Sequence, residues 1–422
     1  MTLVRITGAL TALLLGAVAA PAPASAATRD CFDTALPVTV EEARIAAEQV
    51  PGALIEAGGF TGLPGGLRAA LCSAPTLAAA ARKAEAAGER LWTTAVARAQ
   101  GRIQMGDIER YDDRPLYWTR LTGTRDIRQW TPRFPLSGTQ RDKLVKTYEY
   151  AARGLTSTTF RPGVTRVLVS GFDPYQLDAE IRRSNPSGGA ALQLDGAVFR
   201  SAGRTVQVQA VALPVTWGGF DRGIVEDAFG PHLTRRSPQR ADLIMTISQG
   251  LRGVMHVERW AAGWRGGVPD NNNVGTPEQV PPAAGWPQPT PTPEWIETTL
   301  PHQAMVGAGT TPWPTRLNPQ LCEWAAGDRP TGRVTCHDGE PTPGGQASSG
   351  GGGSYLSNES MYRSNRLRVA LGATDIPGGH LHISALLPFA DPEALLDPAF
   401  TTDRQATIDQ TIHLVKAAGA AA

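Results

Sequence analysis

Residues 348–368, SSGGGGSYLSNESMYRSNRLR, form the stretch whose residue types and spacing most invite a chemical reading. A glycine run, Gly350 to Gly353, ends in Ser354-Tyr355-Leu356-Ser357-Asn358, and a helical pattern follows at once. Glycines permit the positive φ angles of a tight approach turn. Ser or Asn just ahead of a helical pattern marks a helix start. A side chain there faces unpaired backbone N–H groups and the positive end of a helix dipole, which favour a developing anion. Such a position suits a nucleophile. The plainer reading is a flexible glycine loop feeding an ordinary capped helix, with Ser357 a cap and nothing more.

The elements that have to position this stretch lie mostly between residues 161 and 422. Residues 167–170, 206–215, 243–248 and 380–387 are short β-branched or apolar runs that read as strands. Residues 219–229, 294–306, 360–371 and 408–418 read as helices between and after them. That alternation predicts an α/β fold, a three-layer α/β/α sandwich with a largely parallel, twisted sheet. Functional loops in such sheets gather at the carboxyl ends of the strands. Two segments read as insertions: 272–293, crowded with prolines, and 310–346, rich in Gly and Pro.

Residues 27–160 read as a helical N-terminal extension. Residues 41–50, 77–100 and 140–153 are Ala-rich or amphipathic. Residues 107–128 are dense in charge and aromatics and read as packing with ion pairs; no catalytic motif stands out in this region.

At the front, Arg5, an apolar run over 6–20 and Ala24-Ser25-Ala26 make a secretory signal peptide cleaved near Ala26. The run is too short for a comfortable membrane span, and no later stretch is long enough for one. A secreted protein is therefore expected. Net charge is +1, from 40 basic and 39 acidic residues, which argues against nucleic acid or an anionic membrane as the main partner. Four cysteines in an exported chain read as two disulfides. Of three connectivities, proximity favours Cys31–Cys72 and Cys322–Cys336. Zinc is the weaker reading, because no Cys-x-x-Cys pair is present.

Seven short motifs then run in order through residues 164–418. They are Gly171-Phe172-Asp173-Pro174-Tyr175 with Asn185-Pro186-Ser187; Leu213-Pro214-Val215; Ser248-Gln249-Gly250 with Val257-Glu258-Arg259-Trp260-Ala261; Val268-Pro269-Asp270-Asn271; Thr298-Thr299-Leu300-Pro301; Gly353-Ser354-Tyr355-Leu356-Ser357-Asn358; and Gly379-His380-Leu381-His382-Ile383. Together they resemble the pyroglutamyl peptidase I (pyrrolidone-carboxylate peptidase) family. That family carries Gly-Phe-Glu-Pro-Phe with Asn-Pro-Ser, Gly-Gln-Ala, Ile-Pro-Asp-Asn, Gly-Thr-Tyr-Val-Cys-Asn and Gly-Phe-Ile-His-Val at these places.

The resemblance implies a cysteine-peptidase site that removes an N-terminal pyroglutamyl residue with a Cys-His-Glu triad. By position, His382 becomes the general base and Glu258 its orienting carboxylate, while Ser357 replaces the cysteine. His380, on the same strand face, is the alternative base. Phe172 and Tyr175 become aromatic pocket walls and Gln249 its polar end. A thiol has a pKa of about 8.5 and can rest as a thiolate beside a histidine. A serine must instead lose its proton to the base during attack, which Ser-His-Glu sets on other folds accomplish. A free thiol outside the cell is open to oxidation, so a hydroxyl fits an exported site. The family's arginine before Ile-Pro-Asp-Asn has no counterpart, since Val268 stands there and Arg265 is out of register. The expectation is a secreted Ser-His-Glu hydrolase with no metal or organic cofactor, acting on a peptide or small amide. The alternative is an inactive homologue that binds a peptide or partner. The family tends to oligomerise, and a large extension bears on whether this chain does so.

Overall fold

The structure, a computed structural model, describes residues 31–422 apart from 202 and 310. The leader expected over 1–26 lies outside the described residues. Seven strands make the central sheet: β1 (Thr165–Phe172), β2 (Val198–Ser201), β3 (Arg204–Leu213), β4 (Leu243–Gln249), β5 (Met255–Glu258), β6 (Thr315–Asn318) and β7 (Gly378–Ile383). Their order is β6-β5-β7-β4-β1-β3-β2. Four of the six pairings are parallel; β7 with β5 and β2 with β3 are antiparallel.

The apolar runs of β1, β3 and β4 are continuous because both faces of the sheet are covered. Side chains alternate between the faces. Val167, Val169, Val206 and Val208 face one layer, where Leu414, Val415 and Ala418 of a C-terminal helix (Pro398–Ala421) join Ala191 and Leu194 of the helix Pro186–Leu194. Leu168, Val211, Leu213 and Ile244 face the other layer, against Val225 and Phe229 of Ile224–Leu233 and Leu356 and Leu367 of Leu356–Ala370. Each such side chain, fully buried, contributes roughly 1.5–3 kcal/mol. The result is the three-layer α/β/α sandwich.

The N-terminal region is helical: Val40–Ala47, Val50–Ala57, Gly62–Cys72, Leu77–Ala99, Arg114–Gln129 and Gly138–Ala151. Thr39 with Glu42 and Ser137 with Gln140 form capping boxes that fix two of the starts. The core holds Leu91, Trp92, Trp118, Trp130 and Tyr148. Arg114–Gln129 is buried nearly all round, and its Arg114, Arg120 and Asp126 are all ion-paired. Cys31 is bonded to Cys72 and Cys322 to Cys336. Among the described residues no helix is long and apolar enough to cross a membrane.

Several local expectations change. Residues 294–306 are not one helix: Trp295–Glu297 is extended against Trp260–Ala262, and only His302–Gly307 is helical. Pro301 disfavours helix at the residue before it, and Trp295 and Ile296 prefer the extended form. The stretch 310–346 does more than loop out. It supplies edge strand β6, and its strands Gln320–Trp324 and Val334–Asp338, with Gln346–Ser349, form a separate antiparallel sheet. Cys322 stands directly opposite Cys336 in that hairpin.

Candidate functional site

The carboxyl ends of β1, β4 and β7 meet the start of the helix Leu356–Ala370. β3 lies to one side of β1 and β4 to the other, so the chain reverses its direction of travel across the sheet there. Crevices at such points are where ligands bind in open α/β sheets. Register brings His382 beside Ser248 of β4 and His256 of β5, and His380 beside Thr246 and Glu258. Period-two alternation puts these polar side chains on one face of the sheet.

His382 Nδ1 lies 2.8 Å from Glu258 Oε1, with both side chains buried. An ionised carboxylate only accepts, so Nδ1 carries the proton and Nε2 is left as the basic nitrogen. Asn318 Nδ2 donates to Glu258 Oε2 at 2.9 Å and to Gly351 O at 3.0 Å, which pins the carboxylate to the glycine run. Gly352 lies against the His382 ring, where a Cβ would collide with Cε1, and a Cβ on Gly250 would meet the His382 Cβ and Cγ. The run Gly350 to Gly353 thus serves close approach more than turning; of the four, Gly353 alone has a positive φ, at 88°.

His256, half-buried, is held below its ordinary pKa chiefly by burial. His380, the alternative base, has hydroxyls at both ring nitrogens and no carboxylate: Thr246 Oγ1 at 2.7 Å and Ser248 Oγ at 2.8 Å. Burial, then the neighbouring His382, pushes its pKa well below the usual histidine value.

Ser357 is not the residue before the helix. The helix starts at Leu356, so Ser357 is the second residue of its first turn, and Tyr355 precedes it without a side-chain cap. First-turn N–H groups have no partner within the helix. Ser357 Oγ donates to Gly352 O at 3.4 Å rather than to His382. The structure therefore joins Glu258 to His382 directly, and brings Ser357 to the glycine that touches the His382 ring.

A cavity of about 80 Å³ opens beside Ser357, lined by Phe172, Tyr175, Asn185, Val215, Ser248, Gln249, Tyr355 and Leu356. Gln249 Nε2 donates to Tyr175 Oη at 3.1 Å, and Gln249 Oε1 is buried without a partner among the described residues. Phe172 also belongs to the core, stacked on Phe220 at 6.1 Å between ring centroids. Arg265 is committed elsewhere: it binds Glu359 at 2.6 Å and Asp221 at 2.7 Å, over the Trp217 ring.

The N-terminal region fastens the far wall of this cavity. Asp173, next to Phe172, is gripped by Arg120 and by Arg153 Nη1, the latter at 2.7 Å. Asn271 donates to Pro174 O at 2.9 Å and to Glu41 Oε1 at 2.8 Å, where Tyr117 Oη also donates at 2.7 Å. Asp113 receives the Ser184 hydroxyl and, at 3.0 Å, the Asn185 N–H. Burial, with Asp173 adding, raises the Glu41 pKa to about 7. Burial, with Asp112 adding, raises that of Asp113 to about 6.

Sequence reasoning missed Asn318, Gly352 and Ser248 as parts of the site. Asn318 lies in a stretch that reads as an insertion, and nothing in its neighbours signals a carboxylate partner. Ser248 carried a signal, since it departs from the glycine of the resembling motif.

The family model described as the PA0049 N-terminal domain matches residues 22–149, and that described as PA0049, C-terminal domain, matches 166–284 and 329–387. The uncharacterized protein PA0049 of Pseudomonas aeruginosa (strain PAO1) is 30% identical, over 92% of this chain and 88% of the relative. The crystal structure of Bacillus amyloliquefaciens pyroglutamyl peptidase I is a distant likeness, at 19% identity and a TM-score of 0.39, covering 61% of this chain and 98% of that one.

Proposed function

The chain belongs to the PA0049 family, and we propose that its C-terminal domain hydrolyses the amide after a pyroglutamyl or similarly blocked N-terminal residue. The observation that carries this reading is the Glu258–His382 pair at 2.8 Å, braced by Asn318 and set against Gly352 beside Ser357. A buried imidazole with a fixed carboxylate behind one nitrogen is built to accept a proton on the other.

In this mechanism Ser357 Oγ turns from Gly352 O toward His382 Nε2 and attacks the carbonyl carbon of the blocked residue. His382 takes the hydroxyl proton, and Glu258 stabilises the imidazolium. The negative charge on the carbonyl oxygen is received by the uncapped N–H groups of the first turn, at the positive end of the helix. His382 then protonates the leaving amine as the C–N bond breaks. Water, deprotonated by the same imidazole, attacks the acyl carbon; the bond to Ser357 Oγ breaks, His382 returns the proton to that oxygen, and the acid leaves. The aromatic rings of Phe172 and Tyr175 and the free Oε1 of Gln249 suit a small ring bearing an N–H. The expected leader and the two disulfides support an oxidising compartment outside the cytoplasm, where a hydroxyl outlasts a thiol.

A second reading, a binding module without turnover, is favoured by two observations. The Ser357 hydroxyl meets Gly352 O, and Arg265, sequestered by Glu359 and Asp221, offers nothing to a reacting carbonyl. A pyroglutamyl amide reporter separates the two. The hydrolase reading expects turnover that falls by at least about 10³-fold in Ser357→Ala and His382→Ala. It also expects a fluorophosphonate probe to label Ser357. Equal turnover by wild type and Ser357→Ala sinks the nucleophile. Activity confined to Ser357→Cys makes the binding module the better account.

A further inference from the structure

The cavity floor carries a hydrogen-bonded chain that the motif resemblance does not supply. Where the resembling motifs read Gly-Gln-Ala and Gly-Phe-Ile-His-Val, this chain has Ser248 and His380. The two departures meet. Ser248 Oγ is 2.8 Å from His380 Nε2, and His380 Nδ1 is 2.7 Å from Thr246 Oγ1, with all three residues buried.

The direction of the chain follows from its acceptors. The other acceptor near Thr246 Oγ1, Gly379 O, is 3.5 Å away, at the edge of hydrogen-bonding range. We assign the Thr246 hydrogen to the shorter contact, with His380 Nδ1 as acceptor at 2.7 Å. That leaves the His380 proton on Nε2, where it is donated to Ser248 Oγ. The Ser248 hydrogen then has no acceptor among the described residues, and Ser248 lines the cavity. Its neighbour Gln249 lines the same cavity with an Oε1 that lacks a donor among the described residues. A hydroxyl donor and an amide acceptor thus stand on adjacent residues.

We propose that Ser248 is a substrate-contacting, specificity-determining residue that donates to the ring carbonyl of a lactam whose N–H is received by Gln249. The proposal rests on the functional reading above and narrows its substrate class to end groups with a cis amide. A lactam shows its N–H and C=O along one edge, whereas the trans amide of an acetylated terminus points them to opposite sides. A free N-terminal ammonium fits poorly, because no carboxylate lines the cavity and its charge would be unpaired. Nor is Ser248–His380 a second catalytic pair. His380 is backed by a hydroxyl instead of a carboxylate, and its burial against His382 opposes a second positive charge.

Binding is best separated from turnover in the mature protein carrying Ser357→Ala, so that the ligand stays whole. The probes are pyroglutamyl amide and cyclopentanecarboxamide, which keeps a five-membered ring without either polar group. Calorimetry is expected to show pyroglutamyl amide binding that weakens about tenfold when Ser248→Ala is added. The carbocycle's affinity should not move. Ser248→Gly, the motif residue, is the second variant if alanine lowers the melting temperature by more than a few degrees. Unchanged pyroglutamyl amide affinity in the Ser248 variants overturns the proposal and leaves the hydrolase reading standing. No binding of pyroglutamyl amide even with Ser248 intact overturns both. Fluorophosphonate labelling that survives Ser357→Ala but is lost in Ser248→Ala also overturns it, because Ser248 would then be the nucleophile.

Discussion

Asn318 shows how much a single amide can decide. It donates to the Glu258 oxygen that His382 does not use and, through Gly351, ties the carboxylate to the loop ahead of Ser357. Without it, Glu258 keeps its charge but loses one of the contacts that aim it, and small misplacements of catalytic groups are costly. Asn318→Ala is expected to lower kcat by about ten- to a hundredfold with KM nearly unchanged, read with the pyroglutamyl reporter. A rise in KM at constant kcat would assign Asn318 to ligand binding instead. At this scale the sequence was partly legible. His382 and Glu258 stand out because motif order aligns them with one another, 124 residues apart, as the 2.8 Å contact has them. Asn318 was illegible because a lone amide on a short edge strand has no pattern of its own. Gly352 was legible as a glycine but not for its purpose, since contact with a ring 30 positions downstream leaves no local trace.

Between elements, the buried meeting of the N-terminal helices with the loops after β1 and around Asn271 governs pH response. Glu41 titrates near 7 in the folded chain against about 4.5 in an open one, chiefly through burial. The folded state therefore holds a proton that the unfolded state has lost between those values. Stability from this group is complete below about pH 4.5 and is lost as pH rises through about 7. Asp113, raised to about 6, acts in the same direction. Glu41→Gln keeps an oxygen for Tyr117 and Asn271 and removes the titration. Thermal melts should show it equal to wild type at pH 4.5 and increasingly more stable toward pH 8. A constant offset across that range would place the Glu41 proton outside the folding equilibrium. Strands rich in Val and Ile, such as β1, β3 and β4, were legible because burial on both faces demands continuous apolar runs. β2, β5 and β6 are four residues each and mix polar with apolar side chains, so only their neighbours in the sheet define them.

For the molecule as a whole, the two disulfides differ in what they constrain. Cys31–Cys72 spans 41 residues and Cys322–Cys336 spans 14. On the chain-entropy account, removing the first is worth about 4 kcal/mol and the second about 3 kcal/mol. Paired Cys→Ser variants compared by denaturant titration should rank in that order, and the reverse order would mean that native-state packing, not loop closure, dominates. That the N-terminal region is helical was legible; that its side chains hold Asp173 and Asn185, beside and in the cavity lining, was not. Ion-paired packing was expected over 107–128, which holds Arg120, but nothing in the sequence pairs Arg120 and Arg153 with Asp173, and only the fold buries the three together. One consequence reaches beyond this chain. A carboxylate enclosed by two guanidiniums from the other half cannot be exchanged independently of them. Across related genomes, substitution at 173 should therefore travel with compensating change at 120 or 153, and chimaeras that graft one half onto a foreign partner should misfold unless that trio is transplanted together.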